Sequence, residues 1–175
     1  MTERFKVEKA NVAEAGAICK IGRRSFHDAF APLFKNKNEL DEYLLITYSP
    51  RKISESIQKP NNVFFIAYDE YGNPIGFAKM KRITRHKLFI DSQTELQKIY
   101  VLKEFHGSGI AQALMDSVIK EAKKIGTNFL WLDVHISNEK AKRFYEKNDF
   151  ARIGDHSFTI GSQTFYYDVM ALPII

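Results

Sequence analysis

QKIYVLKEFHGSGIAQALMDSVIKEAKKI, residues Gln97–Ile125, joins a strand pattern to a helix pattern through a short glycine turn. Ile99, Tyr100 and Val101 are β-branched and aromatic neighbours that favour an extended backbone. Gly107-Ser108-Gly109 supplies the turn. Beyond it Ile110, Ala113, Leu114, Val118, Ala122 and Ile125 recur at i, i+3 and i+4, the signature of an amphipathic helix with one apolar stripe. Consecutive backbone N–H groups then gather at the positive end of that helix, with no side chain in the way. Such a turn is suited to a phosphate or pyrophosphate, so a phosphorylated cofactor is expected here.

Working outward, Phe5–Val7 reads as a short first strand, and Asn11 to about His27 as a helix with Asn11 as its N-cap. Aromatic-rich residues Phe26 to Phe34 follow, then a segment from Leu40 to Leu45 and a helical turn over Ser54–Lys59. Val63–Tyr68 is a buried strand that turns at Asp69–Asn73 and returns over Pro74–Ile83. Leu88–Ile90 and Glu95–Leu102 are expected to carry the sheet onward. Gly126 closes the amphipathic helix. Phe129–Val134 is an almost continuous apolar run, as in a parallel strand buried on both faces. Asn138 caps a helix to about Lys147, and Phe150–Ile160 with Thr164–Leu172 form a closing hairpin around Gly161-Ser162. The order predicts one α+β domain over residues 1–175, built on a single mixed sheet with a strand–helix–strand crossover at its centre.

Composition narrows the function. A chain of 175 residues, 45% hydrophobic with 14 phenylalanines, has the makings of a globular core rather than of a disordered segment. The apolar runs are too short to span a bilayer, and MTERFKVEKA holds no apolar signal core, so a cytoplasmic protein without membrane contact is expected. The net charge of +5 comes from cations scattered among acids, as in Lys120-Glu121 and Glu139-Lys140, and not from a basic arm. That pattern argues against nucleic acid as a partner. The single cysteine, Cys19, lies in a helical pattern and reads as buried and inert. His27 and His156 stand apart from any cysteine or carboxylate pattern, so no metal is expected.

Two other glycine-loop chemistries fit less well. No Gly-x-x-x-x-Gly-Lys-Ser/Thr is present for a P-loop. A dinucleotide fingerprint would begin at Gly107-Ser108-Gly109, but its third position is Gln112, although Asp133 at the end of the next strand mimics the ribose-binding acid. A closing hairpin is also foreign to that fold.

His106-Gly107-Ser108-Gly109-Ile110-Ala111, together with Asn138–Phe150 (NEKAKRFYEKNDF), resembles the GCN5-related N-acetyltransferase (GNAT) superfamily. That family's loop reads Gln/Arg-x-x-Gly-x-Gly/Ala, and His106 replaces the usual Gln or Arg. Asp149-Phe150 replaces the usual Gly-Phe, in a turn that tolerates a left-handed residue. The resemblance implies the GNAT fold: a mostly antiparallel twisted sheet with helices on both faces and a central acetyl-CoA site. It implies acetyl-CoA as cosubstrate, with contacts from Ile99, Tyr100, Val101, His106, Gly107, Ser108, Gly109, Ile110, Ala111, Asn138, Lys140, Tyr145 and Lys147.

Ser25–Pro32, Leu96–Val101 and His156-Ser157-Phe158 are further similar to the PaiA-type spermidine/spermine acetyltransferases. This implies direct acetyl transfer to a primary amine, a small-molecule polyamine, in a ternary complex. Tyr145 would be the general acid that protonates the departing thiolate, and Glu95 and His135 are candidates for the base relay. Phe26 and Phe30, with Glu42 and Tyr43 from the acidic knot at Glu39–Tyr43, are the candidate substrate residues. The alternatives are another small amine, a protein N-terminus, or a CoA-sensing module without turnover. Phe165–Val169 offers a strand through which two copies would pair.

Overall fold

The computed structural model describes residues 4–175. Seven strands and five α-helices run in the order β1 (Phe5–Lys9), α1 (Ala15–Phe30), α2 (Lys37–Thr47), α3 (Pro50–Gln58), β2 (Asn62–Asp69), β3 (Pro74–Thr84), β4 (Gln93–Val101), α4 (Ile110–Ile125), β5 (Phe129–His135), α5 (Glu139–Lys147), β6 (Ala151–Ile160) and β7 (Gln163–Pro173). The strands form one mixed sheet in the order β1-β2-β3-β4-β5-β7-β6. β1–β2, β5–β7 and β6–β7 pair antiparallel, and β4–β5 pairs parallel. This is the α+β architecture expected from the sequence.

Local chemistry explains most boundaries. Asn11 does start a helical segment, but the first turn, Val12–Glu14, is 3-10. The Asn11 side chain accepts from the Ala13 N–H at 2.9 Å, and Glu14 accepts from the Asn11 N–H at 2.9 Å. α3 starts about one turn earlier than a reading from Ser54 suggests, because Ser49 caps it by accepting from the Lys52 N–H and Pro50 fills its first turn. Leu88–Ile90 is not a strand. The Phe89 N–H closes a turn on the His86 carbonyl at 3.0 Å, and Ile90 is fully exposed. Short apolar runs do not by themselves distinguish a strand from a loop that lies on a sheet. At the closing hairpin Gly161 has φ +58° in the first loop position, which a glycine adopts without strain.

The chain is organised in two compact units: residues up to Met80 with Lys98–Val118, and Lys81–Gln97 with Ile119–Ile175. The first is centred on Ile18, Leu40, Tyr48, Ile66, Phe77 and Leu114, all essentially solvent-free. Gly22 of α1 admits the Tyr48 ring, which a Cβ there would strike. Cys19 is buried in this core and desolvation pushes its thiol up, so it is unreactive.

In the second unit, Trp131, Val169 and Ala171 pack with Phe89 and Phe129. Its polar seams are satisfied: the Gln93 carboxamide oxygen accepts from the N–H groups of Asn128 and Phe129, both at 3.0 Å. The Trp131 indole donates to Thr84 Oγ1 at 3.1 Å. Among the described residues no helix is long and apolar enough to cross a membrane.

Candidate active site

The glycine turn lies wholly in the first unit. Beyond β4 a 3-10 turn, Lys103–Phe105, brings the chain to His106. Gly107 and Gly109 then take φ +80° and +91°, a left-handed backbone that disfavours any side chain. A Cβ on Gly107 would meet only open space, so the turn leaves room above it. The Gly109 carbonyl accepts from the Ala113 N–H at 3.1 Å, which starts α4. Ile110 is buried and anchors the helix, so what the first turn offers outward is the backbone N–H groups that have no acceptor within a helix. An exposed turn of glycines followed by those donors fits a pyrophosphate.

His106 has a different part from a plain phosphate donor. Its Nε2 stands 2.8 Å from the Val101 carbonyl, so that nitrogen carries the hydrogen and ties the turn back to the end of β4. Only Nδ1 of an imidazolium would be left to donate elsewhere. Gly76 supports the same strand end: a Cβ there would stand 2.9 Å from the Tyr100 carbonyl oxygen.

Tyr145, in the second unit, is buried beside Phe144 and Phe150, with ring centroids 5.6 and 5.9 Å away. Burial pushes its phenol well above the ordinary range, so the proton stays on at any physiological pH. The N–H groups of Asn148 and Phe150 both donate to the Tyr145 carbonyl, at 2.9 and 3.1 Å. Asp149 takes the left-handed conformation, φ +66°, as its turn requires. Asn138 caps α5 through its side-chain oxygen, accepting from the Ala141 N–H at 3.2 Å, so only its NH2 group is left to face a ligand. Lys140 and Lys147 are exposed on the same helix.

Glu95 is half-buried in β4 and stands opposite Trp131 in the β4–β5 ladder. His135 is nearly buried at the end of β5. Its Nδ1 lies 2.8 Å from Ser137 Oγ and accepts from the Ser137 N–H at 3.1 Å, closing the turn toward α5. Desolvation, with Lys142 in support, lowers its pKa.

The four candidate substrate residues lie in the first unit. Phe26, Phe30 and Tyr43 do come together, with centroids 4.6 and 4.9 Å from Phe26, but Phe26 is buried core. Glu42 is exposed. The cavity on α1, about 450 Å³, is lined by Lys20, Arg23, Arg24, His27, Asp28 and Leu44 and is therefore mainly cationic.

A group the sequence reading passed over, His86, Asp133 and His156, gathers in the second unit beside Trp131. These residues come from three separate segments. Their one sequence signal is the period-two alternation that puts Trp131 and Asp133 on one face of β5.

The sequence pattern of the Acetyltransferase (GNAT) family matches residues 24–150, most of the chain, including the glycine turn and Tyr145. The chain belongs to this family, and it is an acetyl-CoA-dependent N-acetyltransferase. It is 28% identical over 151 residues to an uncharacterised N-acetyltransferase of Mycobacterium tuberculosis, across 86% of this chain and 92% of that one. In fold it resembles the PaiA N-acetyltransferase of Thermoplasma acidophilum, solved in complex with coenzyme A, at TM-score 0.77 and 21% identity over 97% of this chain and 98% of that one. It also resembles the ribosomal-protein-S18-alanine N-acetyltransferase of Escherichia coli, at TM-score 0.70 and 20% identity over 97% and 94%.

Proposed function

We propose that this acetyltransferase passes the acetyl group of acetyl-CoA directly to a primary amine of a polyamine such as spermidine or spermine, in a ternary complex. The observation that carries the cosubstrate part is the turn after β4: two left-handed glycines, open space above Gly107, and the first-turn N–H groups of α4. Gly107, Ser108, Gly109, Ile110 and Ala111 hold the pyrophosphate, with His106 fastening the turn to Val101. Ile99, Tyr100 and Val101 offer backbone to the pantetheine arm, and Asn138, Lys140 and Lys147 are further cofactor contacts. The polyamine part is supported by the PaiA-like segments Ser25–Pro32, Leu96–Val101 and His156–Phe158.

The chemistry balances as follows. An ammonium acceptor gives one proton to a base, for which Glu95 is favoured because Nδ1 of His135 is engaged in the turn at Ser137. The neutral amine attacks the thioester carbonyl, whose negative charge a backbone N–H near Tyr100 or Val101 meets. The carbon–sulfur bond breaks, the nitrogen loses its second proton, and the thiolate is protonated by Tyr145. The products are the N-acetyl amine, CoA thiol and one proton released to solvent.

The test is thiol release from acetyl-CoA with spermidine, beside a no-amine control and an N-terminal peptide. Spermidine-dependent release above both supports the reading, and release with the peptide alone replaces the acceptor. Acetyl-CoA binding without release from any acceptor would make the protein a sensing module. In Tyr145→Phe, kcat is expected to fall roughly a hundredfold with acetyl-CoA affinity held. Equal loss of both would make Tyr145 structural.

A further inference from the structure

We propose that Asp133 is the counter-ion of the acceptor's ammonium group, in a subsite bordered by the half-buried ring of His86, which rests against the buried Trp131. This rests on the amine-acetyltransferase reading and gives its acceptor a place.

The subsite lies on one face of the second unit. Cross-strand partners share a face, so Glu95, Trp131, Asp133, Val169 and Gly154 belong together through the pairs Glu95↔Trp131, Asp133↔Val169 and Gly154↔Val169. His156, two residues beyond Gly154, lies on this face too. The loop between β3 and β4 lies over it: a Cβ on Gly154 would stand 2.5 Å from Leu88 Cδ1, and the His86 ring sits 4.6 Å from Trp131 and 6.0 Å from His156.

Asp133 is the odd member of this group. Its side chain is accessible, and its carboxylate makes no ion pair or hydrogen bond with any described residue. Enough protein surrounds it to raise its pKa, with His156 and His86 pulling the other way. Neither imidazole forms a salt bridge with it among the described residues. Burial keeps His86 below the ordinary imidazole range, with His156 and Lys87 adding to the effect and Asp133 opposing it. In the neutral ring the proton sits on Nε2, because Nδ1 accepts from the Leu88 N–H at 3.3 Å.

An unpaired carboxylate beside a neutral imidazole is short of a cation, and an alkylammonium supplies one. The charge meets Asp133 and the methylenes lie along the His86 ring. Glu95 stands opposite Trp131 in the β4–β5 ladder, on the same face. Acid should weaken binding at the subsite, since a protonated His86 would compete with the ammonium for Asp133.

The experiment is Asp133→Asn, an isosteric change, assayed with spermidine and by histidine-side-chain NMR titration without acetyl-CoA. The expected result is a KM for spermidine at least tenfold higher, kcat within threefold, and unchanged acetyl-CoA affinity. In the wild type, spermidine should lower the midpoint of His86, since a bound ammonium repels its proton, and in Asp133→Asn it should not. Unchanged KM with imidazole titrations indifferent to spermidine would overturn the proposal. If the wild type acetylates no amine, the acetyl-acceptor reading falls, and the ammonium subsite is then decided by the NMR arm alone.

Discussion

Phe26 with Phe30 and Tyr43, and Trp131 with His86 and Phe89, are aromatic clusters of similar make-up in opposite electrostatic surroundings. Around the first stand cations. Lys98 lies 5.0 Å over the ring of Tyr48, itself 6.4 Å from Phe26, and donates to its hydroxyl at 3.2 Å. Lys20, Arg23 and Arg24 line the neighbouring cavity, together with His27, Asp28 and Leu44. Around the second stand Asp133, with no partner of its own, and Glu95 on the same face. Aromatic rings bury area in both places, Phe26 and Trp131 alike, but the second has an accessible carboxylate, Asp133, without an ion pair or hydrogen bond to any described residue. On the proposal above, the difference places the acceptor's ammonium at β5 rather than at α1 and α2, where the sequence suggested it.

Four changes would break or sharpen this contrast. Phe26→Ala should cost about 3–5 kcal/mol of stability, read from the urea midpoint, because it empties a buried aromatic position. The spermidine KM of the folded protein should stay within twofold, and a clear rise would return the substrate to α1. Gly22→Ala should cost about 1–3 kcal/mol by forcing the Tyr48 ring off α1, again without a change in amine KM.

The third change is pH. His86 and His135 are held below their unfolded value of 6.5, so the unfolded chain binds more protons as pH falls through 6.5. Stability is therefore complete above that pH and declines below it, whereas Asp133, raised in the fold, works in the opposite sense. Thermal melts from pH 7.5 to 5.5 should show a falling Tm, with a shallower fall in His135→Gln. A flat profile would mean that neither imidazole is desolvated. The smallest effect belongs to Glu42→Gln. This exposed residue should leave stability and the spermidine KM within twofold, and a larger KM change would give the acidic knot a substrate role.

The cofactor turn was legible because its chemistry is local. Left-handed glycines, a helix start and an apolar stripe are all written in consecutive residues, as is the turn around Asp149 that holds Tyr145. Which aromatic and acidic side chains turn inward was not. Phe26 and Glu42 are a few turns apart and share a plausible composition, but nothing in that spacing tells which side chain turns inward. Leu88–Ile90 has the composition of a strand, yet it is the loop whose Leu88 seals against Gly154.

The amino-acid order by itself determined the order of elements, the α+β class, the family and the glycine turn. Each of these rests on periodicity and backbone preference within about ten residues. Tertiary structure alone decided the partner of His106 and the burial of Phe26. It also decided the meeting of His86, Trp131, Asp133 and His156, because cross-strand register and the folding-over of one loop bring together residues that no local spacing relates.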